Sequence, residues 1–200
     1  RGAADKIFIN TAGIGAIPTA VRWGAGTIQP GDKIIVSGTL GDHGAAILNL
    51  RERLGMDLGV ESDCAVLASL VAPLREVPGV HALRDATRGG VNAILHEFSQ
   101  ASGYGICINE ESLPVKPAVR GICELLGLDA LNFANEGKLV LAVSAREEET
   151  VLHLLRAHPL GADAATIGEV TVHPQVCLRG ALGITRQLML PWAEPLPRIC

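Results

Sequence analysis

The sequence predicts an α/β (α+β) fold, a two-layer structure in which a mixed or antiparallel sheet is covered by helices. Three observations carry this expectation. Strand-like and helix-like segments alternate along the chain, several connections between them are short and hairpin-like, and apolar content is high. Of the 200 residues, 48% are hydrophobic and 19% charged, enough to bury a substantial core, while aromatics at 3% leave the packing to aliphatic side chains. A net charge of −4 without a basic run argues against nucleic acid as a partner. No apolar run approaches the roughly 20 residues that span a bilayer.

The chain opens at Arg1 and soon enters Asp5-Lys6-Ile7-Phe8-Ile9, a strand-like run that passes into a glycine-rich turn at residues 10–15. A start without Met or lead-in reads as a piece of a longer protein. Pro30-Gly31-Asp32 is a strong turn signal and marks a domain boundary. Three units follow from it: residues 1–30 as the end of a preceding domain, 31–190 as the main domain, and 191–200 as a tail. Residues 33–37 read as a buried strand, and Asp42 as the N-cap of a helix carrying Leu48, Leu50 and Leu54. A second helix is expected from Asp63 toward Pro73. Residues 80–85 form a strand, and Val91, Ile94, Leu95 and Phe98 then fall on one helix face. Residues 104–109 are another strand, 115–126 a loop and short helix, and 139–143 an apolar strand. Ser144 with Glu147 reads as a capping box for a helix that turns Val151, Leu154 and Leu155 inward, and strands near 165–170 and 175–178 complete the pattern. The helices are expected over one face of the sheet.

The five cysteines (Cys64, Cys107, Cys123, Cys177 and Cys200) are scattered, odd in number and form no Cys-x-x-Cys pair. Neither a disulfide framework nor a zinc site is indicated, and a reducing cytoplasm is expected. The first four sit in apolar segments, as inert core thiols do. His81, His96, His153, His158 and His173 lack ligand spacing and read as surface or cap residues.

Four stretches can carry chemistry. The last ten residues hold three prolines and end in Cys200, so a stiff polyproline-like arm about 30 Å long would present a thiol at its tip. Arg198 favours the thiolate there and the terminal carboxylate opposes it. The competing reading is a disordered tail that ends in cysteine by chance. Arg84-Asp85-Ala86-Thr87-Arg88-Gly89-Gly90 places a glycine pair and a cation at a helix start after a strand ending in aspartate. Gly89 and Gly90 free backbone N–H groups for an oxyanion, Arg88 adds a bidentate phosphate donor, and Asp85 is a candidate Mg²⁺ ligand. The alternative is an ordinary strand-to-helix turn capped by Thr87, and no Walker loop occurs. Glu136, between Asn135 and Gly137, is a candidate general base or else a solvated turn acid. Asp42-His43 reads as part of a site or, more simply, as a helix cap.

Taken in order, Pro30-Gly31-Asp32, the run from Gly38 to Gly44, Arg84 to Val91, Leu113-Pro114-Val115, Asn132 to Lys138 and Pro197-Arg198-Ile199-Cys200 resemble the HypE family of hydrogenase maturation proteins. That family lies in the aminoimidazole ribonucleotide synthetase superfamily with selenophosphate synthetase and thiamine monophosphate kinase. The resemblance implies the C-terminal domain of the synthetase-like fold and an ATP-dependent dehydration. A carbamoyl group from HypF, carried on Cys200, becomes a thiocyanate, with Glu136 removing a proton and ATP with Mg²⁺ activating the amide oxygen. Asp85 matches a metal-phosphate aspartate, with Arg88, Gly89 and Gly90 beside it. The implied partners are HypF, the HypC–HypD complex as cyanide acceptor, and a second copy through an N-terminal domain. Most of that domain is missing here, so these 200 residues alone are expected to bind ATP poorly and to be inactive. Another ATP-using synthetase or small-molecule kinase of the superfamily, or a non-enzymatic docking fragment, are the other readings. The terminal cysteine argues against a kinase.

Overall fold

The computed structural model describes residues 12–19, 21–56 and 59–191. The strand expected at residues 7–9 and the arm from Trp192 to Cys200 lie outside them. Seven strands form one mixed sheet: β1 (Lys33–Val36), β2 (Val80–Asp85), β3 (Gly105–Asn109), β4 (Leu139–Val143), β5 (Ala165–Thr171), β6 (Val176–Arg179) and β7 (Thr185–Gln187). Their order is β2-β4-β1-β5-β3-β6-β7, and every pair is antiparallel except β3 with β6. Among the described residues five α-helices accompany it: α1 (Asp42–Arg51), α2 (Ala68–Val71), α3 (Gly90–Ser102), α4 (Pro117–Leu126) and α5 (Glu148–Arg156). None is long and apolar enough to cross a membrane.

Helices cover both faces at the centre of the sheet, where one covered face was expected. The reason is visible in β4, whose five residues are all apolar and all buried. Val140 and Ala142 pack with Ile34, Val36 and the Val91, Ile94, Leu95 and Phe98 face of α3. Leu139, Leu141 and Val143 point the other way, with Ile35 and the Val151 and Leu155 face of α5. Burying each such side chain contributes roughly 1.5–3 kcal/mol. A third cluster joins α1 to α4 around Phe133, which is fully buried.

Three sequence expectations fail locally. Asp42 does not cap α1. It is the first helical residue, after Gly41 at φ 82, and its carboxylate is taken by Thr39 Oγ1 at 2.6 Å and Lys116 Nζ at 2.8 Å. No helix starts at Asp63: its carboxylate accepts the N–H of Glu136, 73 residues away, and residues 63–67 carry no regular secondary structure before α2. The Ser144–Glu147 capping box does not form: α5 starts only at Glu148, and no side chain caps it. Pro30-Gly31 is a turn as expected, closed by Asp32 accepting the Gln29 N–H at 2.8 Å and pairing with His81 Nδ1 at 2.6 Å. Upstream of it, Ile28 is buried in the core and the Gly24 N–H donates to the His81 carbonyl at 2.8 Å.

The antiparallel registers fix which loops meet. Val36 lies opposite Val140 and Ala165, and Asp85 opposite Leu139. The C-terminal ends of β1 and β2 therefore share one sheet end with the N-terminal ends of β4 and β5. Loops 37–41, 86–89, 133–138 and 157–164 gather there.

Candidate functional site

Asn135 ties three of these loops together. It is fully buried, its Oδ1 accepts the Gly41 N–H at 2.7 Å, and its Nδ2 donates to the Phe133 carbonyl at 2.9 Å and the Ala86 carbonyl at 3.3 Å. Its own N–H donates to Ala86 at 2.9 Å, and the Ala86 N–H to Lys138 at 2.9 Å. A buried amide meets its hydrogen-bonding demand only if all these loops are in place. Glu136 is held next to this clip. Its N–H donates to Asp63 Oδ1 at 2.9 Å, while its Oε1 is buried without a hydrogen-bond partner. A buried oxygen that accepts nothing has been stripped of water without compensation, so it is available to a proton donor that enters the site. Of the two carboxylate oxygens this burial describes Oε1, and the residue as a whole is half-buried.

Lys138 follows, 11% exposed, with its Nζ 3.2 Å from Asp63 Oδ2; Asp63 itself is 4% exposed. Asp63, Lys138, Asp42, Lys116, Thr39 and Ser62 line a polar cavity of about 720 Å³. Asp42 Oδ1 is buried without a partner, and so is Nε2 of the neighbouring His43, whose Nδ1 meets the cavity residue Ser62 at Oγ, 2.8 Å away. Asp42 and His43 thus lie beside the loop cluster, and the helix-cap reading of Asp42 is the one the structure overturns.

The turn from Asp85 to Gly90 borders the Glu136 loop through Ala86. Asp85 is 54% exposed, accepts from Thr87 Oγ1 at 2.9 Å and lies 3.5 Å from Arg84 Nε. Arg88 is exposed. Gly89 and Gly90 have φ of 70° and 62°, and a Cβ on Gly90 would overlap the Leu131 and Phe133 carbonyls. That close approach gives Gly90 a packing reason of its own, separate from any ligand. Thr87 does not cap α3, since Gly89 holds that position. Among the described residues no three acidic, histidine or cysteine side chains converge as metal ligands. Asp85 fits Mg²⁺ only in the manner usual for phosphate substrates, one carboxylate with phosphate oxygens and water supplying the rest.

Cys200 lies outside the described residues, but the place where the chain departs is defined. Leu188 is buried, and the Met189 carbonyl accepts from Asn92 Nδ2 at 3.0 Å, in the first turn of α3. The arm thus leaves beside the helix that the Gly89–Gly90 turn opens. Of the other thiols, Cys107 and Cys123 are buried and Cys177 partly so, whereas Cys64 is exposed against expectation. Burial pushes the Cys123 thiol up to about 11. Burial, with a hydrogen bond to Cys107, pushes Cys177 up to about 12, so both stay protonated and inert at neutral pH.

Asp63 and Asn135 were missed as functional residues in the sequence. Asn135 carried a signal, since a loop between buried Phe133 and Leu139 must find partners for its backbone. Asp63 carried none, because its partner is 73 residues away.

Mixed sheet, two-sided cover and clustered loops together match a defined class: residues 29–179 fit the AIR synthase related protein, C-terminal domain, and the chain belongs to that family. Within it, the similarity is to HypE. The chain is 66% identical over its whole length to the carbamoyl dehydratase HypE of Escherichia coli K12 and spans 60% of that protein's length. The crystal structure of E. coli HypE superposes with a TM-score of 0.96 at 68% identity, covering 100% of this chain and 62% of that one. A HypE solved in complex with ATP matches at 38% identity and TM-score 0.80, covering 86% of this chain and 54% of its own. A HypE–HypF complex matches at 42% and 0.82, covering 84% and 55%.

Proposed function

We propose that this chain is part of an ATP-dependent carbamoyl dehydratase of [NiFe] hydrogenase maturation. The observation that carries the proposal is Glu136, whose buried Oε1 has no partner, in a loop clipped to the Asp85–Gly90 turn, in a chain 66% identical to a carbamoyl dehydratase. Cys200 carries the carbamoyl group as a thiocarbamate. ATP phosphorylates the amide oxygen, turning a poor leaving group into a good one. Glu136 takes a proton from nitrogen, the C–O bond breaks and phosphate departs. The balance is R–S–CO–NH2 plus ATP giving R–S–CN, ADP, phosphate and one proton. Arg88 and the Gly89–Gly90 turn hold phosphate, and Asp85 holds Mg²⁺, which when bound offsets phosphate charge.

By its sequence alone, a stretch of eleven residues, the number that follows Met189, would span about 34 Å if polyproline-like throughout. The relative solved with ATP supports the nucleotide, and the one solved with HypF supports HypF as carbamoyl donor. We further assign the HypC–HypD complex as acceptor of the cyano group, a cytoplasmic location, and a homodimer through an N-terminal domain. In that division residues 1–30 close the N-terminal domain, 31–190 form the synthetase-like domain and 191–200 the arm.

The test is intact-mass analysis of a protein of the relatives' full length that carries this sequence, incubated with carbamoyl donor, HypF and ATP. Cys200 gains one carbamoyl group and then loses one water in an ATP-dependent step. Cys200→Ala abolishes the gain, and Glu136→Gln permits it while blocking the loss. An unmodified Cys200 overturns the proposal. The same assay on these 200 residues alone is expected to show no ATP turnover.

A further inference from the structure

We infer that Asp63 is a positioning residue for the reaction, setting the backbone of Glu136 from across the fold; the inference rests on Glu136 being the base. Three consecutive residues close around this one residue, two on its side chain and one on its carbonyl. The Glu136 N–H donates to Asp63 Oδ1 at 2.9 Å, and Lys138 Nζ lies 3.2 Å from Asp63 Oδ2. Between them, a Cβ on Gly137 would overlap the Asp63 carbonyl oxygen, so the two backbones meet where only glycine fits. The Asp63 side chain is almost fully buried and comes from the segment before α2, which meets the Asn135–Lys138 loop through this clasp and through the Ala65 side chain near Gly137.

The division of labour within Glu136 points the same way. Its main chain is anchored, and its Oε1 is left unpartnered. Asp63 therefore fixes where the carboxylate stands without occupying it. Asn135 secures the loop on its other side through Gly41 and Ala86, so Glu136 sits between two independent anchors. A base must sit within hydrogen-bond reach of the proton it removes, and a displacement near 1 Å costs about 100-fold in rate. The feature of Asp63 that matters is an acceptor oxygen at this distance from the Glu136 N–H; its charge, shared with Lys138, is secondary.

Side-chain swaps separate acceptor geometry from charge. Asp63→Asn keeps an oxygen at the same reach and loses the charge, whereas Asp63→Glu keeps the charge and moves the oxygens one methylene further. The measurement is the single-turnover rate at which carbamoylated full-length protein loses water, together with the KM for ATP and the extent of carbamoyl acceptance. Asp63→Asn is expected within tenfold of wild type and Asp63→Glu about 100-fold slower, with the KM for ATP and carbamoyl acceptance within twofold for both. A rate for Asp63→Glu equal to or above that of Asp63→Asn overturns the inference, as does a loss confined to the KM for ATP. Glu136→Gln in the same assay separates the two levels. If it dehydrates at the normal rate, the base assignment has failed; if it is blocked while Asp63→Glu is not slowed, only the positioning role has.

Discussion

The Asn135–Lys138 loop and the Asp85–Gly90 turn lie side by side at one sheet end, joined through Ala86, yet they are built on opposite plans. The first is held from within: a fully buried amide makes three side-chain hydrogen bonds, a buried carboxylate anchors the next residue, and one oxygen of Glu136 is left over. The second fixes only its backbone, by two positive-φ glycines and the packing of Gly90, and leaves Asp85 and Arg88 facing solvent. A base that removes one proton needs a rigid seat, whereas groups that receive a polyphosphate need a rigid backbone with accessible side chains. Under the proposed function, the difference gives one loop the task of holding its residues in place and the other that of meeting the ligand.

Substitutions that exchange these roles break the comparison. Asn135→Ala has the largest expected effect: it leaves the Gly41 N–H and the Phe133 carbonyl without these partners at once, while the Ala86 carbonyl keeps the main-chain N–H of residue 135. Each buried group left unpaired costs about 1–3 kcal/mol, so a loss of about 2 kcal/mol or more is expected in urea unfolding. A loss under about 1 kcal/mol would show that the clip is not what holds the loops. Asp85→Ala and Arg88→Ala should lie at the other extreme. Exposed side chains whose contacts are, for Asp85, a surface ion pair and an exposed hydrogen bond from Thr87 alter stability by about 0.5 kcal/mol or less. In the full-length protein each should nevertheless weaken ATP binding about tenfold, measured by calorimetry. Unchanged affinity with lowered stability would place the turn among the structural elements instead.

How much of this was legible in the sequence follows the same line. Periodicity located α3, because Val91, Ile94, Leu95 and Phe98 face one way, and it located β4 from an unbroken apolar run. That run also held the information that both faces are covered, which the expectation of one covered face overlooked. Glu136 was legible as a candidate because it stands in a short polar loop between buried residues. The capping readings of Asp42 and Ser144 failed because a local rule was outbid by distant partners: Lys116 for Asp42, and for Ser144 a turn whose N–H is bonded to the Gly79 carbonyl at 2.8 Å. Asp63 shows the limit most clearly. A helix start was the best local reading of that segment, and only the folded chain brings it to Glu136 and Lys138.

The smallest expected effect concerns α3, which the open turn begins and which backs it. His96, on that helix, has a pKa lowered below its ordinary 6.5, chiefly by burial, with a backbone contact to Leu188 acting in the opposite direction. Its Nε2 is buried without a partner. The folded state therefore resists a proton that the unfolded chain accepts, and between the lowered folded value and 6.5 the unfolded state binds more protons. Stability then rises with pH through that window, is complete above 6.5, and is lost as the medium is acidified. Comparing wild type with His96→Gln isolates this group from other titrations: Tm measured from pH 7.5 to pH 5 should fall further in wild type. Because His96 packs by Leu188, the last buried residue before the arm departs, acidification should loosen the arm's root and the backing of the Asp85–Gly90 turn before it touches the Asn135 clip. Hydrogen exchange on full-length protein at pH 5.5 separates the two, with faster exchange at residues 92–98 and 188 and unchanged protection at Gly41 and Glu136. Equal acceleration in both places would mean that the two loops open as one unit and that the contrast between them holds only in the static structure.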